Sequence, residues 1–174
     1  MVLGIDPGTA VTGYGVVAFD GRTVTLMECG VIRTAAKDPL PQRLLAIHEG
    51  IEDVIVRHRP DTVSVEDVFY AKNVRTTIVL GHARGVILLA AQKAAVTICE
   101  YPPAEIKKAI TGKGGATKEQ VQFMVARLLR LKSAPQPADA ADGVAAALCA
   151  CLMSSHPKLP TLPPMRIPLA KLVR

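Results

Sequence analysis

Apolar positions in the first third of the chain fall into short runs set off by turn signals. Val2–Asp6, Gly13–Phe19 and Val24–Thr34 read as three strands, separated by Asp6-Pro7-Gly8 and Asp20-Gly21-Arg22. The Asp20-Gly21 connection predicts an antiparallel hairpin. The period then changes. Leu44, Ile47, Ile51, Val54 and Ile55 recur at helical spacing after Pro39 and Pro41, and Pro60 ends the pattern. Thr62–Glu66 is a fourth strand and Val74–Ala95 a long helix. Gly81 and Gly85 on that helix permit close approach of another helix, within the molecule more often than across a dimer seam. Val96–Tyr101 is a fifth strand. Pro102-Pro103 opens a short helix, Ala104–Ile110, and Gly112–Gly115 is a loop. Thr117–Leu131 is an amphipathic helix with Val121, Met124, Val125 and Leu128 on its apolar face. Ala138–Ser154 is the last helix. This order predicts an α/β domain over residues 1–155, with a five-stranded mixed sheet flanked by helices. From His156 onward there are five prolines and four basic residues but no acid, which predicts an extended tail over residues 156–174.

Composition agrees with a folded domain. A chain of 174 residues, 49% apolar, is long enough to bury about 70% of its unfolded surface. The net charge of +6 favours a polyanionic partner. Asp6 comes too early for a signal peptide. The longest apolar run, Val144–Met153, is too short to span a bilayer. We therefore expect a cytoplasmic protein with no membrane partner. Cys29, Cys99, Cys149 and Cys151 lack zinc-type spacing and read as reduced thiols.

Four acids are locally out of place. Asp6 ends the run Val2–Ile5, and Glu66 ends Thr62–Val65. Asp139 and Asp142 lie three apart in an alanine-rich segment, on one helical face. A parallel crossover sets the ends of the first and fourth strands side by side, which brings Asp6 and Glu66 together. Converging carboxylates repel and raise one another's pKa unless a cation lies among them. An all-oxygen set without His or Cys suits Mg²⁺ or Mn²⁺, and hence a two-metal phosphodiester site. Asp67, next to Glu66, points to the other sheet face and reads as structural.

Motifs spread over nearly the whole length carry a resemblance. They are Gly4-Ile5-Asp6-Pro7-Gly8-Thr9, Val65-Glu66-Asp67-Val68-Phe69-Tyr70-Ala71-Lys72-Asn73, and Leu80-Gly81-His82-Ala83-Arg84-Gly85. Further on come Ile106-Lys107-Lys108, Thr117-Lys118-Glu119-Gln120 and Ala138-Asp139-Ala140-Ala141-Asp142. Together they resemble the RuvC family, the Holliday-junction resolvases of the RNase H-like superfamily. The resemblance implies an RNase H-like fold and a homodimer that binds four-way DNA junctions, nicking two strands of like polarity. It implies two Mg²⁺ or Mn²⁺ ions per active site, held by Asp6, Glu66, Asp139 and Asp142. Some relatives have His at the position of Asp139. It also implies that Lys107 and Lys118 act at the scissile phosphate, and that a branch-migration complex, RuvA–RuvB, is a partner.

The DNA surface follows from charge. Val68–Cys99 contains no acid, while Lys72, Arg75, Arg84 and Lys93 are basic. We expect Lys72, Asn73, Arg75 and Arg84 to contact DNA. Phe69 and Tyr70, just past Glu66, are candidates for stacking on junction bases. Two other readings share some of these features. An RNase H-like nuclease acting on RNA or RNA–DNA hybrids would carry the same acids. An actin-like phosphotransferase would carry a loop like Asp6-Pro7-Gly8-Thr9, but in two domains. The intact acids disfavour a noncatalytic junction-binding scaffold.

Overall fold

The structure, a computed structural model, describes residues 1–67 and 74–154. Five strands form one mixed sheet: β1 (Val2–Asp6), β2 (Val11–Phe19), β3 (Val24–Arg33), β4 (Thr62–Glu66) and β5 (Thr97–Tyr101), in the order β3-β2-β1-β4-β5. The first three pair antiparallel, and β1, β4 and β5 run parallel. The five-stranded mixed sheet expected from the sequence is therefore the one observed. The β2–β3 hairpin turns on Gly21, at φ 93°, and the Asp20 carboxylate accepts from the backbone N–H groups of Arg22 and Thr23 at 2.8 and 2.7 Å.

Helices cover both faces. α1 (Leu40–His58) and α2 (Val74–Lys93) pack on one side. Their buried residues Ile47, Ile51, Val54 and Ile87 meet Leu3, Ile5, Val63 and Val65. α3 (Pro103–Thr111), α4 (Lys118–Leu128) and α5 (Ala138–Ser154) pack on the other, where Ile106, Val121, Val125, Val144 and Leu148 surround Val17. Alternation along a strand explains the division. In β4, Val63 and Val65 face α1 and α2, while the buried Ser64 hydroxyl donates to the Ala146 carbonyl of α5 at 2.7 Å. Glu28 on β3 ties the hairpin to α1. Its carboxylate accepts from Tyr14 Oη (2.8 Å) and Arg57 Nη1 (2.5 Å) and lies 2.6 Å from His58 Nε2. The Arg57 guanidinium, helped by His58 and Tyr14, holds this carboxyl down at about 2.

α5 lies unusually close to β1 and β2. A Cβ built on Gly4 would collide with the Ala147 backbone nitrogen and the Gly143 carbonyl oxygen, and one on Gly13 with the Asp139 carbonyl oxygen. The alanines of α5, with Ala140, Ala141, Ala145, Ala146 and Ala147 all buried, let it sink to this depth. The close approach fixes where the first turn of α5 stands over the end of β1.

Three expectations change. α4 is shorter than the apolar period suggested. It stops at Leu128, and Arg130 turns with φ 55°, so Leu129 points into the core at 8% exposure while Leu128 is 38% exposed. At its start Thr117 and Gln120 form a capping box. Among the described residues, Gly81 and Gly85 do not serve packing within the chain, because none of those residues has an atom within 4 Å of a Cβ at either position. They belong to an outward stripe of α2 with Ile78 and Leu89, which are 55% and 52% exposed. Finally, α2 is long and apolar enough by length and composition to cross a membrane, although Ala83, Ile87, Ala90 and Ala91 form part of the core.

Candidate active site

β1 and β4 are parallel neighbours with Ile5 opposite Val65, so Asp6 and Glu66 emerge side by side at the carboxyl edge of the sheet. Both are partly buried. Asp139 and Asp142 stand on the first two turns of α5, held over that edge by the close approach at Gly4 and Gly13. One carboxylate oxygen from each of Asp6, Asp139 and Asp142 lies within 4.8 Å of the others. Glu66 joins Asp6 and Asp142 in lining a cavity of about 220 Å³, with Lys107 from α3 and Lys118 from α4. Pro103, Ile106 and Val121 form its apolar wall. The fold brings all four acids and both lysines together from β1, β4, α3, α4 and α5.

The electrostatics are those of a cluster short of positive charge. Burial pushes the Asp6 carboxyl up to about 8, with further upward pressure from Glu66, Asp142 and Asp139 that Lys118 only partly offsets. Burial and Asp142 push Glu66 up to about 7, against Lys107 and Lys118. Lys118 Nζ lies 2.7 Å from Asp142 Oδ2, and this contact raises the lysine's own pKa. A divalent cation would reverse the burden on Asp6 and Glu66. The donor set fits one: hard oxygens only, converging from rigid elements, at the size of a small hydrated ion.

The expected DNA-contact residues divide. Phe69, Tyr70, Lys72 and Asn73 lie outside the described residues. Arg75 is exposed on the first turn of α2, where it lines a hollow with Thr9, Thr76 and Val79. Arg84 departs from the expectation of a DNA-facing cation. It forms ion pairs with Glu100 and, at 3.4 Å, with Asp67. Lys93 is likewise paired, 2.6 Å from Glu52. Two charges of the basic stretch are therefore neutralised within the chain. Asp67 faces α2, as alternation predicts. The pairing of Arg84 was not foreseen, because its partners are remote in sequence. The only local hint was an acid at Asp67 on the face opposite Glu66.

Known proteins resemble this chain in sequence and in fold. Residues 2–150 match the family model of the crossover junction endodeoxyribonuclease RuvC. The RuvC enzyme of Desulforamulus reducens is 45% identical over 155 residues, covering 89% of this chain and 95% of that relative. The solved Thermus thermophilus RuvC superposes with a TM-score of 0.82 at 37% identity, covering 88% of this chain and 94% of that one. A second Thermus thermophilus RuvC structure, in complex with a Holliday junction substrate, gives a TM-score of 0.81 at 35% identity over the same shares. With the expected five-stranded fold and one carboxylate cluster at the end of β1 and β4, the chain belongs to the RuvC family of crossover junction endodeoxyribonucleases.

Proposed function

We propose that this chain resolves four-way DNA junctions by paired, symmetric nicks in two strands of like polarity, in recombination and repair. The observation that carries the reading is the convergence of Asp6, Glu66, Asp139 and Asp142 with Lys107 and Lys118 at one cavity. The Thermus relative solved on a Holliday junction adds the substrate class. The four acids would hold two Mg²⁺ or Mn²⁺ ions, which would supply Lewis-acid activation of water and charge neutralisation at the leaving oxygen. Asp6, with three acids around it, is best placed to share both ions. Lys118 holds Asp142 in position and offers its charge to the phosphate. Lys107 faces the same cavity from α3 and opposes the charge on Glu66. The apolar wall limits access of water from that side.

A junction has two symmetry-related strands, so a two-fold dimer with two such sites suits it. The outward α2 stripe of Ile78, Gly81, Gly85 and Leu89 supports a seam there, because bare glycines allow a partner helix to approach closely. Phe69 and Tyr70 would stack on bases at the crossover, and Lys72, Asn73 and Arg75 would hold phosphates. A RuvA–RuvB branch-migration complex would deliver the junction in the cytoplasm. The basic tail expected over residues 156–174 lies outside the described residues.

A cleavage panel tests the reading. In Mg²⁺ or Mn²⁺ the protein should nick a synthetic four-way junction at symmetric positions and leave linear duplex largely intact. Preferential cutting of an RNA–DNA hybrid would overturn it. Lys118→Ala should lower the cleavage rate about 10²-fold, by analogy with the loss of an oriented donor at a developing charge, with junction affinity changed far less. Single-turnover rates and gel-shift affinities on the same junction separate the two quantities. A loss confined to affinity would place Lys118 in substrate holding instead.

A further inference from the structure

Arg84 sits on the α2 side of the sheet, across from the carboxylate cluster. Its neighbours on the helix, Ala83 and Ile87, are fully buried, so the turn that carries it is fixed against the core. Its Nη2 donates to Oε2 of Glu100 on β5 and stands 3.4 Å from Oδ1 of Asp67. Asp67 follows Glu66 directly in the chain. The Asp67 backbone N–H donates to the Tyr101 carbonyl at 2.9 Å, one residue past Glu100. One guanidinium thus grips the end of β4 and its neighbour β5, just where Glu66 leaves the sheet. The Arg84 side chain is 27% exposed, and its Nε is buried without a hydrogen-bond partner among the described residues. A group so enclosed, with two carboxylates on its terminal nitrogen, is poorly disposed to reach a phosphate.

We propose that Arg84 is a positioning residue for the metal ligand Glu66, acting through Asp67 and Glu100 rather than through DNA. The planar fork of arginine suits two carboxylates from adjacent strands, and lysine reproduces it only in part. Without it, Asp67 and Glu100 are two like charges on adjacent strand ends with no cation between them. The end of β4 would then relax, and the Glu66 carboxylate with it. Supporting groups behind a ligand are typically worth about 10-fold to 100-fold in metal affinity.

The inference rests on the metal-dependent reading above, and its test separates the two. Mn²⁺ binding to the DNA-free full chain is measured by calorimetry, and junction binding is measured in Ca²⁺ across a salt series. Arg84→Gln should weaken Mn²⁺ binding by about 10-fold to 100-fold, Arg84→Lys should recover part of the loss, and the salt dependence of junction binding should keep the wild-type slope. Cleavage by Arg84→Gln should approach the wild-type rate as Mn²⁺ is raised. An unchanged Mn²⁺ isotherm overturns the inference. So does a salt slope reduced by about one unit with metal affinity intact, which is the signature of a lost phosphate contact. If Arg84→Gln does not fold, Asp67→Asn, which leaves the Arg84–Glu100 pair in place, carries the test. Its Mn²⁺ affinity should fall in the same direction, and an unchanged affinity overturns the inference. A wild-type chain that takes up no Mn²⁺ overturns the metal reading itself, and this inference with it.

Discussion

Asp6→Asn should bind a four-way junction about as well as the parent chain and fail to cut it. Asp6 sits at the centre of the cluster, with oxygens of Asp139 and Asp142 within 4.8 Å, so an amide there takes one carboxylate out of the proposed metal set. It also removes negative charge near DNA, which favours binding. The same substitution should raise the thermal stability of the metal-free protein at pH 8. Unfolded, Asp6 titrates at the ordinary carboxylate pH. Folded without a cation, it titrates at about 8. Between those values the folded state holds the extra proton, so the metal-free protein loses stability as pH rises, until the folded carboxyl has ionised. Asparagine does not titrate, so the variant's advantage should be present at pH 8 in chelator and vanish near pH 4. Melting curves at the two pH values, each with EDTA, read this directly. For a chain of this size each kcal/mol is worth about 2–4 °C. A variant that still cuts at the parent rate sinks the proposed chemistry.

Gly4→Ala should be nearly as damaging, though Gly4 touches no substrate. Its new methyl group meets backbone atoms of Gly143 and Ala147, which cannot rotate away. α5 must move off the sheet, at a cost of about 1–3 kcal/mol for an overpacked core. The helix carries Asp139 and Asp142, so the displacement reaches the site. A misplacement of about 1 Å costs on the order of 10²-fold in rate. Activity measured well below the melting temperature should therefore fall further than the stability loss explains. Gly115→Ala is the control, because among the described residues no atom lies within 4 Å of a Cβ there. Parent-like cleavage by Gly4→Ala would show that α5 tolerates the shift.

The four acids were legible because each breaks a local rule. Asp6 and Glu66 are charges at the ends of strands that otherwise read as buried. Asp139 and Asp142 interrupt a run of alanines at helical spacing. The parallel arrangement of β1 and β4 then followed from the order of elements, and it set Asp6 beside Glu66. What escaped the sequence depends on contacts between distant segments. Gly4 read as part of a motif and Gly13 as the start of a strand, whereas their reason is a helix more than 120 residues later in the chain. Arg84 read as one more cation in an acid-free stretch. Its partners lie just outside that stretch, Asp67 immediately past the end of β4 and Glu100 on β5. The end of α4 was misjudged because Leu128 kept the apolar period, while a left-handed Arg130 decided which leucine turns inward.

The bond from Ser64 to the Ala146 carbonyl joins β4 to the middle of α5, about one turn below Asp142 and two below Asp139. The element that supplies two of the clustered acids is therefore also the spine of the domain. A loop-borne site could open and reclose while the rest of the protein stayed folded. Here, freeing Asp139 and Asp142 from Asp6 means lifting α5 from the sheet, which is close to unfolding the whole chain. Metal capture and folding thus draw on one cooperative unit, and a cation bound at the rim would be felt as slower opening of amides at the centre.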